Sequence, residues 1–188
     1  MNGLVKFIIF AIVGISGGYV SAIYMAGGGP FSGAVRAGAW VVWPESGADS
    51  GSPYARLHYI WQGQAPPSHF DRLDFEAQSD DAGRAIDAAC TYVLEGPMPK
   101  IRWWALSAHA NGTEDGQAAV TEISSHDVIY GHDGRLRITL SAMAQPGNWL
   151  AMPGRGRITL VLHLFTAGPM GRERLLEAPL RIRRGMCS

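Results

Sequence analysis

Apolar positions follow two regimes along this chain. From Leu4 to Met25 they run almost unbroken, LVKFIIFAIVGISGGYVSAIYM, with Lys6 as the one charge. About 20 apolar residues are enough to cross the hydrocarbon of a bilayer, so the pattern predicts one transmembrane helix over residues 1–25. AGGGPFSG, residues 26–33, carries four glycines and one proline, and reads as a flexible linker over 26–35. VRAGAWVVW, residues 35–43, reads as a strand that stops at Pro44. Ser52 suits a helix cap and Pro53 a first helical turn. Tyr54, Leu57, His58 and Trp61 then fall at i, i+3, i+4 and i+7, one face of a short helix that Gly63 and Pro66-Pro67 end.

Beyond this helix the period becomes two, the spacing of a strand. Leu73, Phe75 and Ala77 alternate with Asp74, Glu76 and Gln78. Ile86, Ala88, Cys90, Tyr92 and Leu94 do the same with their neighbours, as do Leu136, Ile138 and Leu140 with Arg135, Arg137 and Thr139. ITLVLHLF, residues 158–165, is apolar on both faces, as a central strand should be, and a last strand is expected around Leu180 and Ile182. Turn signals punctuate the strands: GPMP at 96–99, Asn111-Gly112, and His132-Asp133-Gly134. Many short strands with such punctuation predict an all-β antiparallel sandwich over residues 36–188. RWW, residues 102–104, sets two tryptophans side by side, so they face opposite ways. Trp103 shares parity with Ile101 and Ala105 and is expected in the core. Trp104, with Arg102, is then expected on the outer face, under the short helix or a partner. Trp149 is expected to plug one end of the sandwich.

Composition places the domain. Lysine plus arginine balances aspartate plus glutamate, 16 against 16, so no basic excess is present to neutralise phosphates, which argues against nucleic acid. No lysine or arginine lies between Lys6 and Arg36. The positive-inside rule then puts the N-terminus in the cytoplasm and the domain outside it. A cleaved signal peptide is the rival reading, since Val20-Ser21-Ala22 fits a cleavage pattern. The apolar run continues past Ala22, which favours a retained anchor. Gly14, Gly18 and Ala22 recur every four residues on one helix face, the spacing that lets two membrane helices approach closely. Cys90 lies in a strand pattern and Cys187 next to the C-terminus, and the two are expected to stay unpaired.

Six landmarks carry a family resemblance: GAW (38–40), PYAR (53–56), SDDAGRAIDAACTYVLEG (79–96), RWW (102–104), DG (133–134) and NWL (148–150). In order and spacing, over about residues 38–165, the chain resembles the bacterial family called domain of unknown function 1214. The resemblance implies a jelly-roll-like β-sandwich with one short helix. It also implies a partner, because longer members fuse this domain to a companion, domain of unknown function 1254. Short members look like this chain, one membrane helix and one domain. The sequence departs from the family at Phe75, at ALSAHA (105–110) and at HLFTAG (163–168), so a site built on those positions would be altered here.

The candidate chemistry is sparse. His58, His69, His109, His126, His132 and His163 are scattered without ligand spacing, so no metal site and no cofactor are expected. Asp80-Asp81 and Asp87 offer paired carboxylates, although SDDAG reads first as a turn. Ser107 and His109, two apart, offer a hydroxyl beside an imidazole. No nucleophile elbow, phosphate loop or dinucleotide fingerprint is present. The sequence therefore points to a non-catalytic binding or accessory module on the periplasmic side of a bacterial inner membrane, held by a single pass. It is expected to work with a companion-domain membrane protein, and the glycine face also allows a homo-oligomer. The alternative is a periplasmic enzyme or binding protein for a carbohydrate-like ligand, with Arg102, Trp104, Asp80 and Asp81 around a cleft.

Overall fold

In a computed structural model, residues 3–48, 51–61, 63, 65, 72–98, 101–110, 120–153, 155–165, 177 and 180–187 are described. The turns expected at Pro66-Pro67 and Asn111-Gly112, and His69, lie outside them. Helix α1 spans Gly3–Ala26. Two short strands follow, β1 (Val35–Ala37) and β2 (Trp40–Val42), then helix α2 (Pro53–Trp61). The remaining strands are β3 (Arg72–Ala77), β4 (Cys90–Pro97), β5 (Trp103–Ala110), β6 (Val120–Ser124), β7 (Arg135–Ser141), β8 (Trp149–Ala151), β9 (Ile158–Phe165) and β10 (Arg181–Cys187). They form a six-stranded sheet in the order β1-β2-β3-β9-β5-β6 and a four-stranded sheet in the order β10-β4-β7-β8. All pairings are antiparallel except that of β7 with β8.

The period-two pattern explains the packing. Trp40, Phe75, Leu106 and Leu162 from the larger sheet and Tyr92, Leu94, Ile138 and Leu140 from the smaller one are fully buried in one cluster. The fold is therefore an all-β sandwich with an N-terminal helix. β9, apolar on both faces, is central, between β3 and β5. The expected strand over 35–43 is instead a hairpin. Gly38 adopts φ +62°, a conformation that glycine reaches without strain, and folds β1 back on β2.

The tandem tryptophans take the reverse of the expected parity. Trp104 is the core ring, 2% exposed, in line with Leu106, Ala108 and Ala110. Trp103 lies on the outer face against Phe165, with ring centroids 4.8 Å apart. Ile101 lies ahead of the strand and Ala105 fits either side, so neither fixes the register. Helix α2 also turns differently. Ser52 caps it, its Oγ accepting from the Tyr54 N–H at 3.3 Å, but Ala55 and Tyr59 face inward. Of the expected face, Trp61 is 56% exposed.

The cysteines are paired, against expectation. β10 runs beside β4 and sets Cys187 opposite Cys90, with Cα atoms 3.9 Å apart and the sulfurs bonded. The C-terminal tail looked loose because its strand partner is about 90 residues away in sequence. Residues 27–33, expected to be a spacer, make successive hydrogen-bonded turns. Gly27 N–H donates to the Ile23 carbonyl, and Ser32, fully buried, donates to the Gly29 carbonyl at 2.7 Å.

Candidate functional site

Because Leu73, Phe75 and Ala77 point into the core, Arg72, Asp74 and Glu76 must point outward from β3. The same parity brings His163 out of β9, and Ser107 and His109 out of β5. Register places Asp74 beside His163, and Glu76 beside Val161 and so one strand from Ser107. An outward face usually meets water, yet Asp74, Glu76 and Ser107 are all buried. Helix α2 lies on this face, and each of these three buried groups has a partner.

Three pairings satisfy the row. His163 Nδ1 lies 2.7 Å from Asp74 Oδ1, which Arg72 Nε also approaches at 2.9 Å. His58, from α2, sets Nε2 3.1 Å from both Glu76 oxygens and Nδ1 3.1 Å from the Ala26 carbonyl. Its ring stacks on Trp43 at 3.8 Å, and Tyr59 meets both rings edge-on. Burial, and then the charges of Asp74 and Glu76, push the Tyr59 phenol far above its ordinary pKa. Ser107 Oγ lies 2.9 Å from His109 Nε2. Burial first, and the neighbouring His163 second, hold the His109 imidazole below its ordinary pKa, in the form that accepts a proton. Among the described residues no carboxylate hydrogen-bonds to His109 in the way the orienting acid of a hydrolytic triad does. Among the same residues, no group of three or more His, Cys, Asp or Glu side chains is placed to hold a metal ion.

Among the described residues, one cleft adjoins this cluster and another opens on the opposite sheet. One, of about 420 Å³, lies where α1 meets α2 and is lined by Ile23, Trp43, His58, Trp61 and Glu76. The other, of about 470 Å³, opens on the four-stranded sheet among Glu95, Tyr130, Asp133, Arg135, Arg137 and Asn148. The Asn148 side chain fixes its wall, accepting from Ile129 N–H at 2.7 Å and donating to the Ile129 and Arg137 carbonyls.

The residues singled out by sequence do not converge. Arg102 is exposed ahead of β5. Trp104 is buried, and its Nε1 donates to the Tyr130 hydroxyl at 3.0 Å, toward the second cleft. Asp80 closes a turn, accepting from the backbone of Ala82 and Arg84 and pairing with the Arg84 guanidinium at 2.7 Å. Burial works against its ionisation, but the Arg84 contacts outweigh it and hold the carboxyl below its ordinary pKa. Asp81 accepts from Ile182 N–H at 3.0 Å and so fastens β10. No hydrogen bond joins any of these four side chains to another. Gly14 and Gly18 on α1 have open space where a Cβ would stand. The His58–Glu76–Trp43 cluster was missed. Its only sequence signal was the acid pair Asp74 and Glu76 in a strand whose other face is core.

The family model described as "Protein of unknown function (DUF1214)" matches residues 71–169. Among solved structures, the chain is similar to an uncharacterized protein from Burkholderia cenocepacia, at 24% identity and TM-score 0.46, over 63% of this chain and 30% of that one. It is also similar to the VPA0106 protein from Vibrio parahaemolyticus, at 13% identity and TM-score 0.55, over 73% of this chain and 36% of that one. The chain thus spans about a third of the length of the solved proteins it matches. No curated protein matches it.

Proposed function

This chain belongs to the DUF1214 family, and from that premise we propose that it is a membrane-anchored bacterial envelope protein, a non-catalytic binding or accessory module that acts with a companion membrane protein. The observation that carries the reading is α1. Its 24 residues have a mean hydropathy of 1.9 over a membrane-length window, and none of that window is buried in the fold. Such a helix has no reason to stand in water. Lys6 at its start, with no further basic residue before Arg36, favours an N-terminus in the cytoplasm and a domain in the periplasm. The Cys90–Cys187 disulfide supports the same side, since disulfides persist in oxidising compartments and are rare in the cytosol.

The open face of Gly14, Gly18 and Ala22 is the proposed contact with a second membrane helix, of the companion or of another copy. Two chains held in one membrane meet at high effective concentration without a covalent link. The test is purification of the intact chain in mild detergent, with Gly18→Leu beside wild type. A membrane protein should follow the wild-type chain and be lost from the mutant, whose sandwich should melt unchanged. Equal recovery by both chains removes the helix from the interface.

The second cleft supports a second reading, a binding protein for a carbohydrate-like ligand. Arg135, Arg137, Glu95 and Asp133 offer donors and acceptors beside Tyr130 in about 470 Å³. Titration with neutral and acidic oligosaccharides, followed by Arg137 side-chain NMR shifts, tests it. Shifts that saturate and vanish in Arg137→Ala support it; none with either class of sugar rules it out.

A further inference from the structure

Helix α2 is apolar on the side where a surface helix should be polar. Its sequence, PYARLHYIW, contains no acidic residue. Ala55 and Tyr59 face the sheet, at 2% and 1% exposure, while Ile60 and Trp61 stand out at 66% and 56%. Leu57 is half-buried and lies on the outward side with them. Phe31, in the turns that follow α1, is 80% exposed, and Tyr24 in the last turn of α1 is 64% exposed.

The end of α2 lies against the end of α1. His58 ties α2 to Ala26, the last residue of α1, through the 3.1 Å bond to its carbonyl. Trp61 and Ile23 line the same cleft. At about 1.5 Å per residue, the stretch from Leu4 to Ile23 covers about 30 Å, the hydrocarbon thickness of a bilayer. Tyr24, Phe31 and the end of α2 then fall at headgroup level. Tryptophan and tyrosine are favoured at that depth, because their rings are apolar and carry a polar edge.

We infer that the outward face of α2, with Ile60 and Trp61 and the neighbouring Phe31 and Tyr24, rests in the lipid interface and seats the sandwich on the bilayer. The inference depends on α1 spanning the membrane, as proposed above. The occupant is lipid because Trp61, on this face, lines one cleft with Ile23 of the apolar helix. The hydrogen-bonded turns of residues 27–33 and the His58 bond to Ala26 hold α2 close to the end of α1.

The test uses the full chain in phosphatidylcholine–phosphatidylglycerol vesicles. Part of the phosphatidylcholine is brominated either high on the acyl chain or near its end, and tryptophan emission is read. The high bromines should quench the wild-type chain, and Trp61→Phe should remove most of that quenching. Because Trp61 is largely exposed, the mutant should keep its circular dichroism spectrum. Phe10→Trp in the Trp61→Phe background serves as a control, and the deep bromines should quench it. If that control is not quenched, α1 does not span and the inference falls with the anchor. If the control is quenched but Trp61→Phe behaves as wild type, the anchor stands and the seating of α2 is wrong. Trp61 shielded from aqueous iodide yet untouched by either bromolipid would mean a protein surface covers α2, which also overturns the inference.

Discussion

Replacing Trp104 by alanine removes the largest ring on the inward face of β5. The side chain is 2% exposed, and its Nε1 donates to the Tyr130 hydroxyl at 3.0 Å. A buried tryptophan hides about 200 Å², which at about 25 cal/mol per Å² is worth about 5 kcal/mol. Truncations of this kind cost about 3–5 kcal/mol, against a total domain stability of about 5–15. For a domain of this size that is a fall in Tm of about 6–20 °C. Trp103 is only partly covered and rests on Phe165, so Trp103→Ala should cost less, about 1–3 kcal/mol. The assay is a pair of calorimetric melts of the full chain in detergent, with near-ultraviolet dichroism to confirm a fixed core. If Trp103→Ala loses as much stability as Trp104→Ala, or more, the register of β5 is wrong.

Three further outcomes follow from the packing. Cys187→Ser should cost about 2–4 kcal/mol, because the bond to Cys90 closes a loop 97 residues long; a wild-type chain that takes up thiol reagent without reduction would show the bond absent. Asp80→Asn should destabilise the domain at neutral pH, since the Asp80 carboxyl is held below its ordinary pKa. That contribution is present above the unfolded pKa and lost as pH falls through the folded one, so the gap between wild-type and mutant melting curves should begin to narrow below about pH 4. A gap that does not narrow as pH falls further contradicts the Arg84 pairing. Glu76→Gln should lower stability by removing the charge opposite His58, and His58→Gln should restore part of the loss; a double mutant that simply adds the two losses shows the pair uncoupled.

The N-terminal apolar helix and the sandwich were legible because each is written in a local pattern: an unbroken apolar run, then alternation with turns between. Parity at Trp103-Trp104 was not, since it depends on where β5 begins and Ala105 tolerates either face. The turn of α2 was misread for a related reason. Counting apolar residues picks Leu57 and Trp61, but a polar sheet face admits Ala55 and Tyr59, which allow close approach and bring His58 to Glu76. Both the Cys90–Cys187 bond and the Asp74–His163 pair join residues about 90 apart in sequence, and only the strand order brings them together. The carboxylates that looked most chemical, Asp80 and Asp81, went to a turn and to the fastening of β10, as SDDAG read as a turn foretold.

The central claim is a retained anchor with the sandwich outside the cytoplasm, and protease accessibility tests it most directly. The full-length chain should stay in the membrane pellet after alkaline extraction. Protease added to spheroplasts should digest its sandwich, and the sandwich should survive in inside-out vesicles. A soluble periplasmic chain beginning at Ile23, or a sandwich protected in spheroplasts and cut in inside-out vesicles, would contradict the account.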